Sequence, residues 1–365
     1  VSPNSWATYR PGDGQFNVEH IDPHLCTHLV YAFTGIDNSG NIISLDPYLD
    51  FPDNWGRDNF GKFNALKQRN PNLKTLLAVG GWNEGSAKYS IMAANPDYRN
   101  NFIQSALRFL RDYGFDGLDV DWEYPNQRDT VHGAADVNNF TTLLRELKDA
   151  FNRYGFLLTA AVSATRGSAS RSYDYSPNSI VSSYLDIINI MTYDMAGSWD
   201  IVTGHNAPLF RGESIVDEEF TVERSLRFWI EAGCPVHKIA VGVPFYGRTF
   251  TLANAGNNGV GAPVVGPGSA GPYTRENGFM GFNEICHLTR VEPWYTRYDN
   301  SARVPYTVRD NNWVTFDDAD SLAVKVNFAR SLGITSVMVW SIETDDFHGI
   351  CGGGVNPLLR RMNNP

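Results

Sequence analysis

From Leu29 onward the chain alternates short apolar runs with longer segments whose apolar residues recur at helical spacing. Phe140, Leu143, Leu144, Leu147 and Phe151 fall on one face of such a segment, which marks that face as buried. Four of these segments stop at a glycine: Asp97 to Tyr113 at Gly114, Asn138 to Tyr154 at Gly155, Phe220 to Ala232 at Gly233, and Asp317 to Leu332 at Gly333. Glycine closes a helix in the left-handed conformation at least cost, and another apolar run follows each stop, so the repeating unit reads helix, cap, strand. The runs are His28 to Phe33, a weaker one near Ile42 to Leu45, Lys74 to Gly80, Phe115 to Trp122, Leu157 to Ser163, Asp186 to Thr192, Ile239 to Phe245 and Ser336 to Ser341. Strands apolar on both faces and separated by helices predict an α/β protein whose parallel sheet closes into a (β/α)8 barrel, with an open doubly wound sheet as the alternative. Thr249 to Phe316 breaks the rhythm: it lacks helical periodicity, is rich in Gly, Pro and aromatics, and reads as an insertion between strand 7 and helix 7. The predicted division is therefore a barrel over 1–248 and 317–365 and an inserted subdomain over 249–316.

The fourth run, Phe115 to Pro125, sets four acids into this apolar texture: Asp116, Asp119, Asp121 and Glu123. Alternation along a strand puts Asp119, Asp121 and Glu123 on one face and Leu118, Val120 and Trp122 on the other. Crowded carboxylates in a low dielectric cannot all ionise cheaply, so one holds a proton near neutral pH and can donate it in general acid catalysis. Polar and aromatic groups also collect at the ends of the other strands, where a barrel carries its chemistry. These ends read Gly80-Gly81-Trp82-Asn83, Met191-Thr192-Tyr193-Asp194, Phe245-Tyr246-Gly247-Arg248 and Trp340-Ser341-Ile342-Glu343. Such a set suits a sugar ring, whose apolar faces stack on aromatics while carboxylates and phenols bond its hydroxyls and amides.

Composition narrows the partners. A formal net charge of -10 with no Lys/Arg cluster argues against nucleic acid. No apolar run has the length to cross a bilayer, and the opening VSPNSWATYR lacks the pattern of a secretory leader. The histidines are scattered, and the four cysteines form no C-x-x-C pair, so neither metal nor cofactor is expected. Disulfides would place the chain outside the cell and free thiols inside it; their spacing alone leaves both open. Asn139-Phe140-Thr141 matches a glycosylation acceptor, and Gly266 to Gly271 matches G-x-G-x-x-G by letters, but no helix follows it. There is no G-x-S-x-G elbow of a serine hydrolase.

Asp116 to Pro125, DGLDVDWEYP, resembles the D-x-x-D-x-D-x-E signature of glycoside hydrolase family 18, the chitinases and their lectin-like relatives. CTHLVYAF (Cys26 to Phe33), LLAVGGWN (Leu76 to Asn83), MTYDMAGSWD (Met191 to Asp200), GVPFYGRTF (Gly242 to Phe250) and VMVWSIETDDF (Val337 to Phe347) are similar to further landmarks of arthropod and animal members. The resemblance covers essentially the whole chain. It implies a (β/α)8 barrel with an α+β insertion, and an endo-acting chitinase retaining configuration through substrate-assisted catalysis, since such enzymes need no second carboxylate as nucleophile. By position, Glu123 would be the acid, Asp121 would hold the substrate's acetamide N–H, Asp119 would share its proton, and Tyr193 would bond the acetamide carbonyl. Tyr31, Met191, Asp194, Tyr246 and Arg248 would contact substrate, Trp340 would form the floor, and Trp82 and Trp199 would stack sugars on the leaving side. Asp116 would be structural, Cys286 and Cys351 would form a disulfide, and Cys234 would be a buried thiol. The implied partners are chitin and chitooligosaccharides, acted on by a secreted monomer whose leader has been removed.

Two departures from the family pattern stand out: Cys26 lacks the usual partner cysteine near Val1, and the serine of the strand-three S-x-G-G motif is Ala78. The competing functions are a chitin-binding lectin, which goes with loss of the acid, and an endo-β-N-acetylglucosaminidase, which would use the same acid and acetamide.

Overall fold

The computed structural model describes residues 1–176, 181–212 and 218–365. The chain forms two compact units, one of Val1–Ser5, Ile21–Met191 and Trp229–Ala240, the other of Trp6–His20, Thr192–Phe228 and Val241–Pro365. The first contains β1 (His28–Ile36), β2 (Ile42–Ser44), β3 (Lys74–Gly80), β4 (Gly117–Asp121), β5 (Leu157–Ser163) and β6 (Ile187–Met191). β1, β3, β4, β5 and β6 lie side by side in that order and run parallel.

One predicted barrel strand is replaced by another. β2 pairs antiparallel with the end of β1, through Thr34↔Ser44 to Ile36↔Ile42, and is the return arm of a hairpin. The segment Val1–Asn4 runs parallel to β1 instead, with a bridge between Asn4 and Ala32, and the carbonyls of Val1 and Pro3 accept from the N–H groups of Val30 and Ala32 at 2.8 and 3.4 Å. The sequence hid this segment because VSPNSW lacks an apolar run, and Pro3 has no N–H to give to a ladder.

Helices between the strands end where the glycines predicted. The helices Pro96–Tyr113, Ala135–Asn152, Val222–Glu231 and Ala319–Ser331 are each followed within three residues by Gly114, Gly155, Gly233 or Gly333, at φ 80°, 69°, 98° and 84°. At the other end of the helix Pro96–Tyr113, Asn95 accepts from the N–H groups of Asp97 and Tyr98, with Pro96 at the first position where no N–H is needed. Such a cap is worth about 1 kcal/mol.

β7 (Ile239–Pro244) leads into the second unit, whose own sheet has β8 (Tyr246–Leu252), β9 (Val264–Pro267), β10 (Phe279–Gly281), β11 (Tyr295–Asp299), β12 (Val304–Arg309) and β13 (Asn312–Thr315). Its antiparallel order is β10-β8-β13-β12-β11, with β9 on β8, and a helix at Phe282–Val291 completes the α+β insertion. Phe250, Leu252, Tyr306, Val308 and Trp313 form a hydrophobic core in this sheet, which explains the density of aromatics in a stretch without helical period. The insertion falls wholly in the second unit, and β14 (Ser336–Trp340) follows it there. Cys286 and Cys351 are joined in a disulfide with Cα atoms 5.9 Å apart, while Cys26 and Cys234 are buried free thiols. Among the described residues no helix is long and apolar enough to cross a membrane.

Candidate active site

The face alternation read from β4 holds. Leu118, Val120 and Trp122 are essentially fully buried, and the Trp122 ring packs edge-on against Phe140 at 5.5 Å while its Nε1 donates to Ser86 Oγ at 2.7 Å. Asp119 and Asp121, on the opposite face, are each 6% exposed. Asp119 Oδ1 accepts from Thr159 Oγ1 at 2.6 Å and from Asn189 Nδ2 at 3.2 Å, and burial raises its pKa against the pull of those two bonds. Asp121 is raised further, first by burial and then by the negative charges of Glu123 and Asp119, and it shares a side-chain hydrogen bond with Glu123. Its Oδ1 is buried with no hydrogen-bond partner. Burial and the neighbouring acids thus favour the protonated form of this carboxyl, and one of its oxygens is left for a donor that the protein does not supply.

The space for these acids comes from the neighbouring strand. Ala78 and Gly80 of β3 lie in register with Asp119 and Asp121. Gly80 has φ 115°, and a Cβ there would stand 2.1 Å from the Asp121 carbonyl oxygen, so no other residue fits. Gly81, at φ 92°, donates to that same carbonyl at 2.8 Å and turns the chain into Trp82, which is 57% exposed. Asp116 lies just before β4, and its Oδ2 accepts from Thr75 N at 2.8 Å and Lys67 Nζ at 3.1 Å.

In the second unit, Asp194 is the hub. Its backbone is left-handed at φ 57°, its N–H donates to Asn206 Oδ1 at 2.8 Å, and its Oδ1 accepts three bonds. These come from Tyr246 Oη at 2.6 Å and from Arg248 Nε and Nη2 at 2.9 and 2.7 Å. Burial, then the Asp194 charge, raises the Tyr246 phenol; for Arg248, burial works against the charged form, and the Asp194 charge more than restores it. Tyr246 stacks on Phe279 at 4.7 Å, and Tyr193 meets the Tyr246 ring edge-on at 6.0 Å while its hydroxyl points to Met338 Sδ at 3.7 Å. Trp199 is 58% exposed beside Arg248, whose guanidinium carbon is 5.1 Å from its ring centre. Trp340, at the end of β14, is partly buried, and its carbonyl accepts from Phe245 N at 2.9 Å. Met191 closes β6 in the first unit and is 9% exposed.

Two expected residues are placed differently. Tyr31 points into the core layer, not toward substrate: it is 2% exposed, packs edge-on against Phe60 and Phe63, and donates to Asp50 Oδ1 at 2.6 Å. Its position on β1 has the parity of the outer face, which the motif alone does not reveal. Asn139 lies inside the helix Ala135–Asn152, where Phe140 is core and Thr141 Oγ1 bonds back to Val137 O at 3.1 Å, so the tripeptide is not the surface loop that such an acceptor usually marks. Sequence reasoning passed over Thr159, Asn189 and Asn206. The first two are polar intrusions in otherwise apolar strands, a legible signal; Asn206 sits in a loop with none. Cys286, Asp346 and Cys351 are close enough to hold a metal, but the disulfide takes both sulfurs.

A buried carboxyl pair at the end of a central parallel strand, in a chain of helix-separated strands with an α+β insertion, lies where a barrel enzyme carries its chemistry. Residues 4–345 match glycosyl hydrolases family 18, and the chain belongs to that family. It is 44% identical to probable chitinase 2 of Drosophila melanogaster over 95% of this chain and 72% of that protein. The crystal structure of Ostrinia furnacalis Group IV chitinase, also solved with allosamidin, superposes with a TM-score of 0.96 at 54% identity over 100% of this chain and 97% of that one. Human YKL-39, described as a pseudo-chitinase with retained chitooligosaccharide binding, is 37% identical with a TM-score of 0.90 over 100% of this chain and 97% of that one. The protein is thus a glycoside hydrolase on a (β/α)8 barrel with an α+β insertion.

Proposed function

We propose that the enzyme is an endo-acting chitinase that cleaves β-1,4 bonds between N-acetylglucosamine units with retention of configuration. The observation that carries this reading is the buried Asp121, which keeps one oxygen without a hydrogen-bond partner and shares a hydrogen bond with Glu123. Glu123 gives its proton to the glycosidic oxygen, and the bond from that oxygen to the anomeric carbon breaks with its electron pair going to the leaving sugar. The acetamide carbonyl oxygen of the sugar left behind attacks the same carbon and closes an oxazolinium ring. Asp121 Oδ1 accepts a hydrogen bond from the acetamide N–H, which holds the carbonyl in line with the anomeric carbon. Tyr193 donates to the acetamide carbonyl. Glu123, now a carboxylate, takes a proton from water as that water opens the ring from the face the leaving sugar vacated, so configuration is retained.

Met191, Asp194, Tyr246, Arg248 and Trp340 hold the sugar that carries the acetamide, and the exposed Trp82 and Trp199 stack sugars on the leaving side. The disulfide supports secretion into an oxidising compartment. The same scaffold in a non-catalytic lectin is the second reading, favoured by the likeness to YKL-39 and opposed by the presence of Asp119, Asp121 and Glu123 together. Hydrolysis of chitin hexaose separates the two. Glu123→Gln lowers kcat by about a hundredfold or more while hexaose still binds; turnover of the variant at the native rate refutes the assignment. Cleavage of high-mannose glycans without cleavage of hexaose would make the enzyme an endo-β-N-acetylglucosaminidase.

A further inference from the structure

Arg128 stands five residues after Glu123, on the loop that leaves β4. Its Nη1 donates to two carbonyls, that of Trp82 at 2.8 Å and that of Glu123 at 3.0 Å. The same guanidinium lies over the Trp82 indole with its carbon 3.6 Å from the ring centre. At that distance a planar cation is in full contact with one face of the ring and is attracted to its negative charge. With one face covered and Trp82 still 57% exposed, the opposite face is the one open to a ligand.

The backbone around Arg128 is fixed from several directions. Arg128 itself is left-handed at φ 62°, a conformation that few residues other than Gly and Asn take readily. The next residue, Asp129, accepts from Ser86 N and Ala87 N at 2.8 and 3.3 Å, where the helix Ala87–Ala94 begins. Ser86 Oγ donates to Tyr124 O at 3.0 Å, and Gln127 Nε2 donates to Ser172 Oγ at 2.7 Å. A surface ion-pairing arginine needs none of this, since its side chain gains little from being held in one place.

We propose that Arg128 is a positioning residue for the leaving-side sugar: it makes Trp82 a one-faced platform and ties that platform to the backbone of the acid. The inference rests on Trp82 stacking a sugar, as read above. A hexose on the open face is then presented at a set height and angle to the Glu123 carboxyl. Without the guanidinium the indole rotates, and each binding event must order it again. That cost falls on substrate binding and leaves proton transfer alone.

The test compares Arg128→Asn, Arg128→Lys, Trp82→Ala and the Asn/Ala double variant on chitin hexaose. Asn accepts the left-handed backbone, so it removes the guanidinium with the least strain. Arg128→Asn is expected to raise KM about fivefold with kcat unchanged within a factor of about two. Lys, which keeps a charge but loses the planar contact, is expected to fall between. The double variant is expected to have the KM of Trp82→Ala, because Arg128 acts through the indole. The proposal is overturned if Arg128→Asn leaves KM unchanged while Trp82→Ala raises it, if kcat falls instead of KM rising, or if the two substitutions multiply. If Trp82→Ala leaves KM unchanged, the stacking role of Trp82 fails first and the proposal with it. A melting temperature for each variant accompanies the kinetics; should Asn destabilise the fold, the Lys variant carries the same KM comparison.

Discussion

Asp194→Asn is the sharpest probe of the second group of site residues. The substitution keeps the shape of the side chain, keeps an oxygen where Oδ1 stands, and tolerates the left-handed backbone at φ 57°. What it removes is the charge that faces Arg248 at 2.7 and 2.9 Å. Two unit charges about 4 Å apart at an effective dielectric of about 20 attract by about 4 kcal/mol. The carboxylate is 40% exposed and the guanidinium 17%, so water screens roughly half of this and about 2 kcal/mol remains. At about 2 °C per kcal/mol for a chain of this size, the melting temperature should fall by about 4 °C. It should fall less at high salt, and KM for hexaose should rise because Tyr246 and Arg248 lose their common anchor. A double-mutant cycle with Arg248→Met isolates the pair, with an expected coupling above about 1 kcal/mol. Additive effects of the two substitutions, with no salt dependence, would show that the cluster is not held by charge.

Three further outcomes are expected. Asp50 is buried, and its carboxyl is pushed up to about 6 while it accepts from Tyr31 and Ser44. A folded pKa above the unfolded one means this group's contribution is full below about pH 4 and lost as pH rises through about 6. Asp50→Asn should therefore gain up to about 3 kcal/mol on the wild type between pH 4 and pH 8, and parallel melting curves across that range would refute the buried-acid account. Gly80→Ala, with its Cβ 2.1 Å from Asp121 O at φ 115°, should cost about 3 kcal/mol or more. Gly114→Ala, with nothing within 4 Å at φ 80°, should cost about 1 kcal/mol, so equal losses of melting temperature would contradict the steric argument.

How far the sequence reached depends on which signal was local. Helix ends were legible because a capping glycine acts on its own turn, and all four predicted stops carry a positive φ. The acids of β4 were legible because alternation along one strand fixes which side chains share a face, whatever lies next to it. The disulfide came from likeness to a family, and the structure closes it.

Pairing between segments distant in sequence was decided only by the tertiary structure. Nothing in VSPNSW marks a strand, since its place comes from the N–H groups of Val30 and Ala32, which β1 offers to it. Nothing in CTHLVYAF tells that Tyr31 faces phenylalanines and not substrate, because one residue of register reverses every side chain of a strand. Asp121 was identifiable from the chain as a crowded acid. Its raised pKa and its unpartnered oxygen come from burial, from the charges packed beside it and from which neighbours withhold a hydrogen bond. Residue types and local periodicity thus determined the elements and the chemistry available. The packing of segments far apart in sequence decided which of those groups are dry, which are charged and which are free to act.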